Sequence, residues 1–262
     1  MNALKETKKK HLLAILKYLY LHNSSTMNEL VENLQLSQPS IRNMVRTLQE
    51  KQLIQEVGND LSSGGRCPTR FALNEKNYLI LCLYVQVDKV IYQLRNFNEI
   101  KKEGILFYQS EDELKKTIKD LIDQEKIHCC QIAVEGIVYE DVYVTDHHNV
   151  LEKHQWLKDI KKEINIPLQL QNDVKMIHQG CYFTYQQDST YYLYINEVGI
   201  GSSYFYKDEP LYGRSGIMGE IGLISLKGKT INQQIRECQN QEEFNEILSL
   251  LLSIVFTMIQ SV

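Results

Sequence analysis

A chain of 262 residues with 43% hydrophobic residues and a formal net charge of −4 has room for one small and one larger domain, each with its own core. That composition excludes a disordered or low-complexity protein. The charge is uneven, with ten Lys/Arg against six Asp/Glu in residues 1–74 (net +4) and nineteen against twenty-seven in the remainder (net −8), so electrostatic attraction to nucleic acid is confined to the first domain.

The chain opens with Lys5, Lys8, Lys9 and Lys10 ahead of an apolar run from Leu12 to Leu21. Lys17 interrupts that run and no small-residue cleavage site follows it, so it reads as a helix packed on a small core rather than as a signal peptide. Thr26 is a candidate N-cap for a short amphipathic helix with Met27, Leu30, Val31 and Leu34 on one face, ending near Leu36. Ser37 then caps a second helix with Pro39 in its first turn and a buried stripe of Ile41, Met44, Val45 and Leu48. Its opposite face carries Gln38, Ser40, Arg42, Asn43 and Arg46. Amide and guanidinium groups there suit base edges and phosphates in a major groove, and a helical hairpin with a merely solvated polar face is the competing interpretation.

A strand around Leu53 to Val57, a turn-rich stretch from Gly58 to Gly65 and a returning strand at Phe71 to Leu73 predict a β-hairpin wing. Its tip, GGRCPTR at 64–70, offers Arg66 to a narrow minor groove. The succession of helical hairpin, LQEKQLIQE and GGRCPTRFALN resembles the winged-helix head of the ROK regulators (repressors, open reading frames and kinases). Residues 1–75 are therefore expected to form a winged helix-turn-helix domain.

From Tyr78 the pattern changes to strands alternating with helices. Leu79 to Val87 and Val90 to Leu94 predict a hairpin, Ile105 to Tyr108 a third strand, and Asp112 to Gln124 a helix with Leu114, Ile118, Leu121 and Ile122 inward. A buried strand over Ile132 to Val134 ends at Gly136, and Trp156 to Ile164 predicts another helix. Leu168 and Leu170 begin a strand that delivers Asn172 and Asp173 at its C-terminal end, where α/β sheets place ligands. Tyr191 to Ile195 and Ser203 to Tyr206 pair across Gly199 and Gly201, and a final helix runs from Gln241, with Leu248, Leu251, Leu252, Val255 and Ile259 on an inward apolar face that either packs on the body or supplies part of a dimer interface.

This body, residues 76–262, resembles a truncated ROK sugar domain of the actin-like ATPase superfold. The resemblance rests on Gly136, Trp156, IPLQLQND at 166–173, the VGIG turn at 198–201 and GIMGEIG at 216–222. It implies that Asn172, Asp173 and Glu220 bind the hydroxyls of a hexose or sugar phosphate. Carboxylates accept hydroxyl protons and a carboxamide both donates and accepts; an ordinary turn and a solvated loop carboxylate are the bland alternatives.

Three departures from that family follow. Val85-Gln86-Val87-Asp88-Lys89 stands where a ROK kinase has a glycine-rich phosphate turn, and without glycines the backbone cannot wrap phosphates. Leu223 stands at the position of a zinc-site His, and of the cysteines (67, 82, 129, 130, 181, 238) only Cys238 lies downstream, so no metal is expected. The sequence runs to Val262, and by the resemblance the family's last glycine-rich strand and helix, part of the nucleotide cleft, are expected to be missing from it.

The expectation is therefore a non-enzymatic, cytoplasmic DNA-binding regulator, a repressor, that binds a double-stranded operator as a homodimer and responds to a sugar or sugar derivative, without a cofactor. No membrane contact is expected, because the apolar run from Ile247 to Ile259 is shorter than the ~20 residues needed to cross a bilayer. Two alternatives stay open: a ROK sugar kinase with a fused DNA-binding head, and a ligand-independent DNA-binding dimer with a dead sugar cleft.

Overall fold

The computed structural model describes the chain except residues 1, 60–66, 148–149, 186–188, 197–198, 207–208, 215 and 261–262. The chain divides into two compact units. The first comprises Met1–Cys82, Tyr92–Ile105 and Asp120–Cys130; the second comprises Leu83–Ile91, Leu106–Lys119 and Gln131–Val262.

In the first unit, α1 (Asn2–His22) packs with the helical hairpin α2 (Met27–Leu34) and α3 (Gln38–Glu50). Beside them lies a small antiparallel sheet of β1 (Ser25–Thr26), β2 (Ile54–Asn59) and β3 (Thr69–Leu73), in the order β1-β3-β2. Ile15, Leu19, Leu30, Ile41, Met44, Val45, Leu48, Ile54, Phe71 and Leu73 fill the core, which is a winged helix. Thr26 and Glu29 cap α2 reciprocally: Thr26 Oγ1 accepts the Glu29 N–H (3.3 Å) and Glu29 Oε2 accepts the Thr26 N–H (2.8 Å). The helix stops at Leu34, two residues before the expected end, because Gln35 turns left-handed. Ser37 stands at the N-cap of α3, yet its hydroxyl pairs with that of Ser40 (2.9 Å) instead of a backbone N–H. The β2–β3 hairpin is the wing, and its register shifts between Glu56 and Gly58.

Within the wing, Arg70 turns inward. Its guanidinium donates to the Ser24 carbonyl (3.2 Å) and pairs with Glu29 Oε2 (3.2 Å), tying β3 to the start of α2. The same unit contains a stack in which the Tyr78 ring lies 5.7 Å from that of Phe97 and 4.8 Å from that of His128, while Phe97 also packs on the winged-helix core.

Beyond the head, β4 (Ile80–Val85), β5 (Lys89–Arg95), β6 (Ile100–Phe107), β7 (Cys129–Val134) and β11 (Leu168–Asn172) form a sheet ordered β11-β7-β4-β5-β6. The connection from β6 to β7 runs through α4 (Glu111–Asp123), and Leu114, Ile118, Leu121 and Ile122 are its buried residues. β6 starts five residues before the expected strand, on an exposed edge that carries no alternation to announce it.

The second unit also contains a sheet that the sequence pattern did not suggest: β8 (Ile137–Tyr139), β9 (Val142–His147) and β10 (Val150–His154), in the order β10-β9-β8. β10 is mostly exposed, so apolar and polar residues do not alternate there. Next come α5 (Trp156–Glu163), with Trp156, Leu157 and Ile160 buried, and α6 (Asp173–Tyr185), which opens directly from β11. The hairpin β12 (Ser189–Ile195) and β13 (Ile200–Tyr206) continues into β14 (Glu209–Pro210). Short strands β15 (Ser225–Leu226) and β16 (Lys229–Thr230) precede α7 (Ile231–Glu237) and α8 (Gln241–Gln260). Ile200, Ile221, Ile231, Ile235, Leu251 and Val255 form their core. On α8 only Leu251 and Val255 of the expected inward set are fully buried; Leu252 is exposed, and the side chain of Ile259 lies outside the described residues.

Gly136 links β7 to β8 at φ +106°, where a Cβ would lie 2.2 Å from the Val144 carbonyl oxygen. Gly136→Ala combines that overlap with an unfavourable φ, and we expect a loss of about 2 kcal/mol or more, read as a lower Tm. An unchanged Tm would show that the β7–β8 turn relaxes freely.

Candidate functional site

The polar face of α3 is displayed as a surface. Gln38, Arg42, Asn43 and Arg46 are exposed and Ser40 is half-buried, while Ile41, Met44, Val45 and Leu48 fix the opposite side of the helix in the core. Arg46 Nε lies 2.9 Å from Glu50 Oε1, and both side chains are well exposed, so this pair holds the guanidinium only weakly. Arg66 lies outside the described residues.

In the second unit a cavity of about 180 Å³ is lined by Tyr84, Glu135, Asp146, Asn172, Asp173 and Glu220, among others. Asp173 is the first residue of α6, immediately after the end of β11. Its Oδ1 accepts the Val174 N–H (2.8 Å) and its Oδ2 lies 3.2 Å from the Tyr84 hydroxyl. That hydroxyl is also 2.8 Å from Glu135 Oε1, which in turn accepts a hydrogen bond from the Gln86 amide (3.1 Å). One phenol carries one proton, so when Tyr84 donates to Glu135 its contact with Asp173 is a hydrogen bond only if Asp173 is protonated. Burial above all, with the nearby Glu135 charge, raises the Asp173 carboxyl to about 6, against the opposing Val174 and Tyr84 hydrogen bonds.

Glu220 follows Gly219, whose φ of +95° and close approach to the Ser202 carbonyl leave no room for a side chain. Its carboxylate is 15% exposed and lies 3.8 Å from the Nζ of Lys175, which is 1% exposed. Burial raises Glu220 to about 7 although Lys175 pulls the other way, and burial lowers Lys175. Asn172 is 5% exposed and largely committed to the frame: its Nδ2 donates to the Gly136 carbonyl (2.8 Å) and its Oδ1 accepts the Lys175 N–H (3.0 Å). Leu223 also lines the cavity. Among the described residues no three His, Cys, Asp or Glu side chains gather as metal ligands.

The three carboxyl and amide residues expected from the sequence thus line one cavity. Tyr84, Glu135, Asp146 and Lys175 were not expected in it or beside it. Glu135 had a signal: a carboxylate between a buried strand and a glycine stands where a sheet presents its ligands. Lys175 had none, because a lysine on a helix is ordinarily solvated.

Glu135 also lines a second cavity, of about 220 Å³, walled by Tyr108, Tyr143, His154 and Trp156. In its wall Trp156 Nε1 donates to the Tyr143 hydroxyl (3.0 Å), and Thr145 Oγ1 lies 3.0 Å from His154 Nε2.

The model of the ROK family matches residues 104–249. The chain is 24% identical to the xylose repressor of Staphylococcus xylosus over 229 residues, which cover 79% of this chain and 58% of that protein. The crystal structure of a ROK family transcriptional regulator, a homologue of the E. coli MLC protein, superposes with a TM-score of 0.63 at 18% identity, covering 78% of this chain and 56% of the other. A candidate sugar kinase from Cytophaga hutchinsonii superposes with a TM-score of 0.50 at 18% identity, over 60% and 57% of the two chains. The chain spans little more than half the length of these relatives.

Asp173 and Glu220 bind protons more tightly folded than unfolded, so their contribution to stability is complete below the ordinary carboxylate range and is lost as pH rises through about 6 and about 7. We expect Tm to fall between pH 5 and pH 8 by the equivalent of about 1–3 kcal/mol, and Asp173→Asn with Glu220→Gln to flatten the fall. The same slope in the double variant would assign it to other groups.

Proposed function

The chain belongs to the ROK family, and on that premise we propose that it is a cytoplasmic DNA-binding transcriptional repressor whose body responds to a sugar. The carrying observation is the exposed polar face of α3, with Gln38, Ser40, Arg42, Asn43 and Arg46 held outward by a fully buried stripe. Such a helix presents amide groups to adenine edges and guanidinium groups to guanine or phosphate, while the wing, whose loop sequence includes Arg66, lies along the flanking backbone. A homodimer presents two such helices to two half-sites. The winged-helix domain corresponds to residues 1–75 and the sensing body to 76–262. Among the described residues no helix is long and apolar enough to cross a membrane.

Asn172, Asp173 and Glu220 are the effector contacts in this account. The xylose repressor supplies the first ligand to test, a pentose. Sugar binding shifts the population of head orientations and so changes operator affinity.

The β4–β5 turn supports regulation rather than phosphoryl transfer. It is closed by Gln86 N–H to Lys89 O (2.9 Å), the Tyr108 hydroxyl donates to the Gln86 carbonyl, and the Gln86 side chain is held by Glu135. The turn, Gln86 to Lys89, contains no glycine, so its backbone cannot wrap closely around triphosphate oxygens. The committed Asn172 amide and Leu223 in the cavity wall favour a second reading, a DNA-binding dimer with a dead cleft.

Gel-shift titrations with genomic fragments, the gene's own promoter included, test the proposal. We expect Gln38→Ala, Arg42→Ala and Asn43→Ala each to weaken specific binding about tenfold or more at unchanged Tm, since a good base contact contributes about 1–3 kcal/mol. Binding that is sequence-independent, salt-erased and indifferent to these substitutions would refute it.

A further inference from the structure

Lys175 sits where lysines are rarely found. Its side chain is 1% exposed, and it is one of the largest fully buried side chains among the described residues. It stands on the first turn of α6, two residues after Asp173, and its own N–H is held by Asn172 Oδ1. Its ammonium donates to the Gly216 carbonyl (3.2 Å), lies 5.7 Å from the Tyr212 ring centre, and faces Glu220 Oε1 at 3.8 Å. An ammonium has three donors, and a buried charge persists only where it is compensated. Here compensation comes from one carbonyl and one carboxylate, both in the segment 216–220, of which Glu220 lines the cavity.

That segment is anchored on its other side as well. Ser202 donates to the Gly219 carbonyl through both its N–H (3.1 Å) and its hydroxyl (2.7 Å). Glu220 is thus clamped between β13 and α6, with its carboxylate in the cavity lining. Of the described lining residues, Glu135, Asp146, Asp173 and Glu220 are acidic and Arg236, exposed on α7, is the single cation. Lys175 is not among the lining residues; its charge serves Glu220 from behind.

We propose that Lys175 is a positioning residue for the cleft: its ammonium holds Glu220 in place as an acceptor of ligand hydroxyl protons, so that the cleft takes an uncharged polyhydroxylated ligand and turns away its phosphate ester. A neutral sugar offers hydroxyl donors to the carboxyl oxygens, whereas a phosphate dianion would enter among four acidic side chains whose one buried counter-ion is already engaged. The inference rests on the reading of the cleft as an effector site, and it assigns the ligand class and a residue which that reading does not need.

The test is calorimetric titration of the full chain at pH 7.5 with D-xylose, D-glucose, and the terminal phosphate ester of whichever sugar binds. The phosphate ester should bind at least tenfold more weakly than the free sugar. Lys175→Met and Glu220→Gln should each weaken the sugar at least tenfold, and the double variant should be no weaker than Glu220→Gln alone, because both changes remove one interaction. Should Lys175→Met fail to fold with Glu220 left uncompensated, the double variant, which has no buried charge to strand, carries the comparison. Equal binding of ester and sugar, wild-type affinity in Lys175→Met, or a further loss in the double variant overturns this inference and leaves the effector site standing. Binding of neither sugar overturns both.

Discussion

The cleft depends on one carboxamide. Asn172 ends β11 and joins the turn at Gly136 to the first turn of α6, donating to one backbone and accepting from the other. Glu135 precedes that glycine, while Asp173 and Lys175 lie on that first turn. A single buried amide therefore sets the distance between the groups that would meet a ligand. Gly136 makes this possible, since its positive φ and its close approach to Val144 leave no space for a side chain.

The chemistry inside this frame is one of carboxyl groups short of counter-charge. Tyr84 stands between Glu135 and Asp173 with a single proton to give, and Lys175 is the buried cation that Glu220 faces. Burial then keeps protons on Asp173 and Glu220 well above the ordinary carboxylate range. Such groups exchange donor and acceptor roles readily, which suits recognition of hydroxyls. The head follows the opposite logic. Its core is apolar, the inward guanidinium of Arg70 is spent on Ser24 and Glu29, and the exposed polar groups of α3 face outward.

Much of this was legible in the sequence where the pattern was strong. The i, i+3, i+4 stripe of α3 and the helix from Trp156 announce themselves by spacing, because each buries one face against a core, and Thr26 announces itself as an N-cap by residue type. Asn172, Asp173 and Glu220 were reachable through motif resemblance. The strands over 137–154 were not, because β10 is almost wholly exposed and shows no alternation. Nor was α6, whose polar Lys175 and His178 are buried, so its inward face does not read as apolar. Leu252 was expected inward on spacing alone, and it is exposed on α8. Tyr84 and Glu135 gain their meaning only when β4 and β7 lie side by side, a pairing that no local pattern encodes.

The central claim is that the exposed helix face in the head selects particular DNA sequences. Genome-wide mapping of the DNA bound by this protein in its own cells addresses it most directly. The account predicts a small set of discrete sites sharing a two-fold sequence motif, with half-sites about one or two helical turns apart. Uniform occupancy that follows only DNA abundance, with no shared motif, would contradict it.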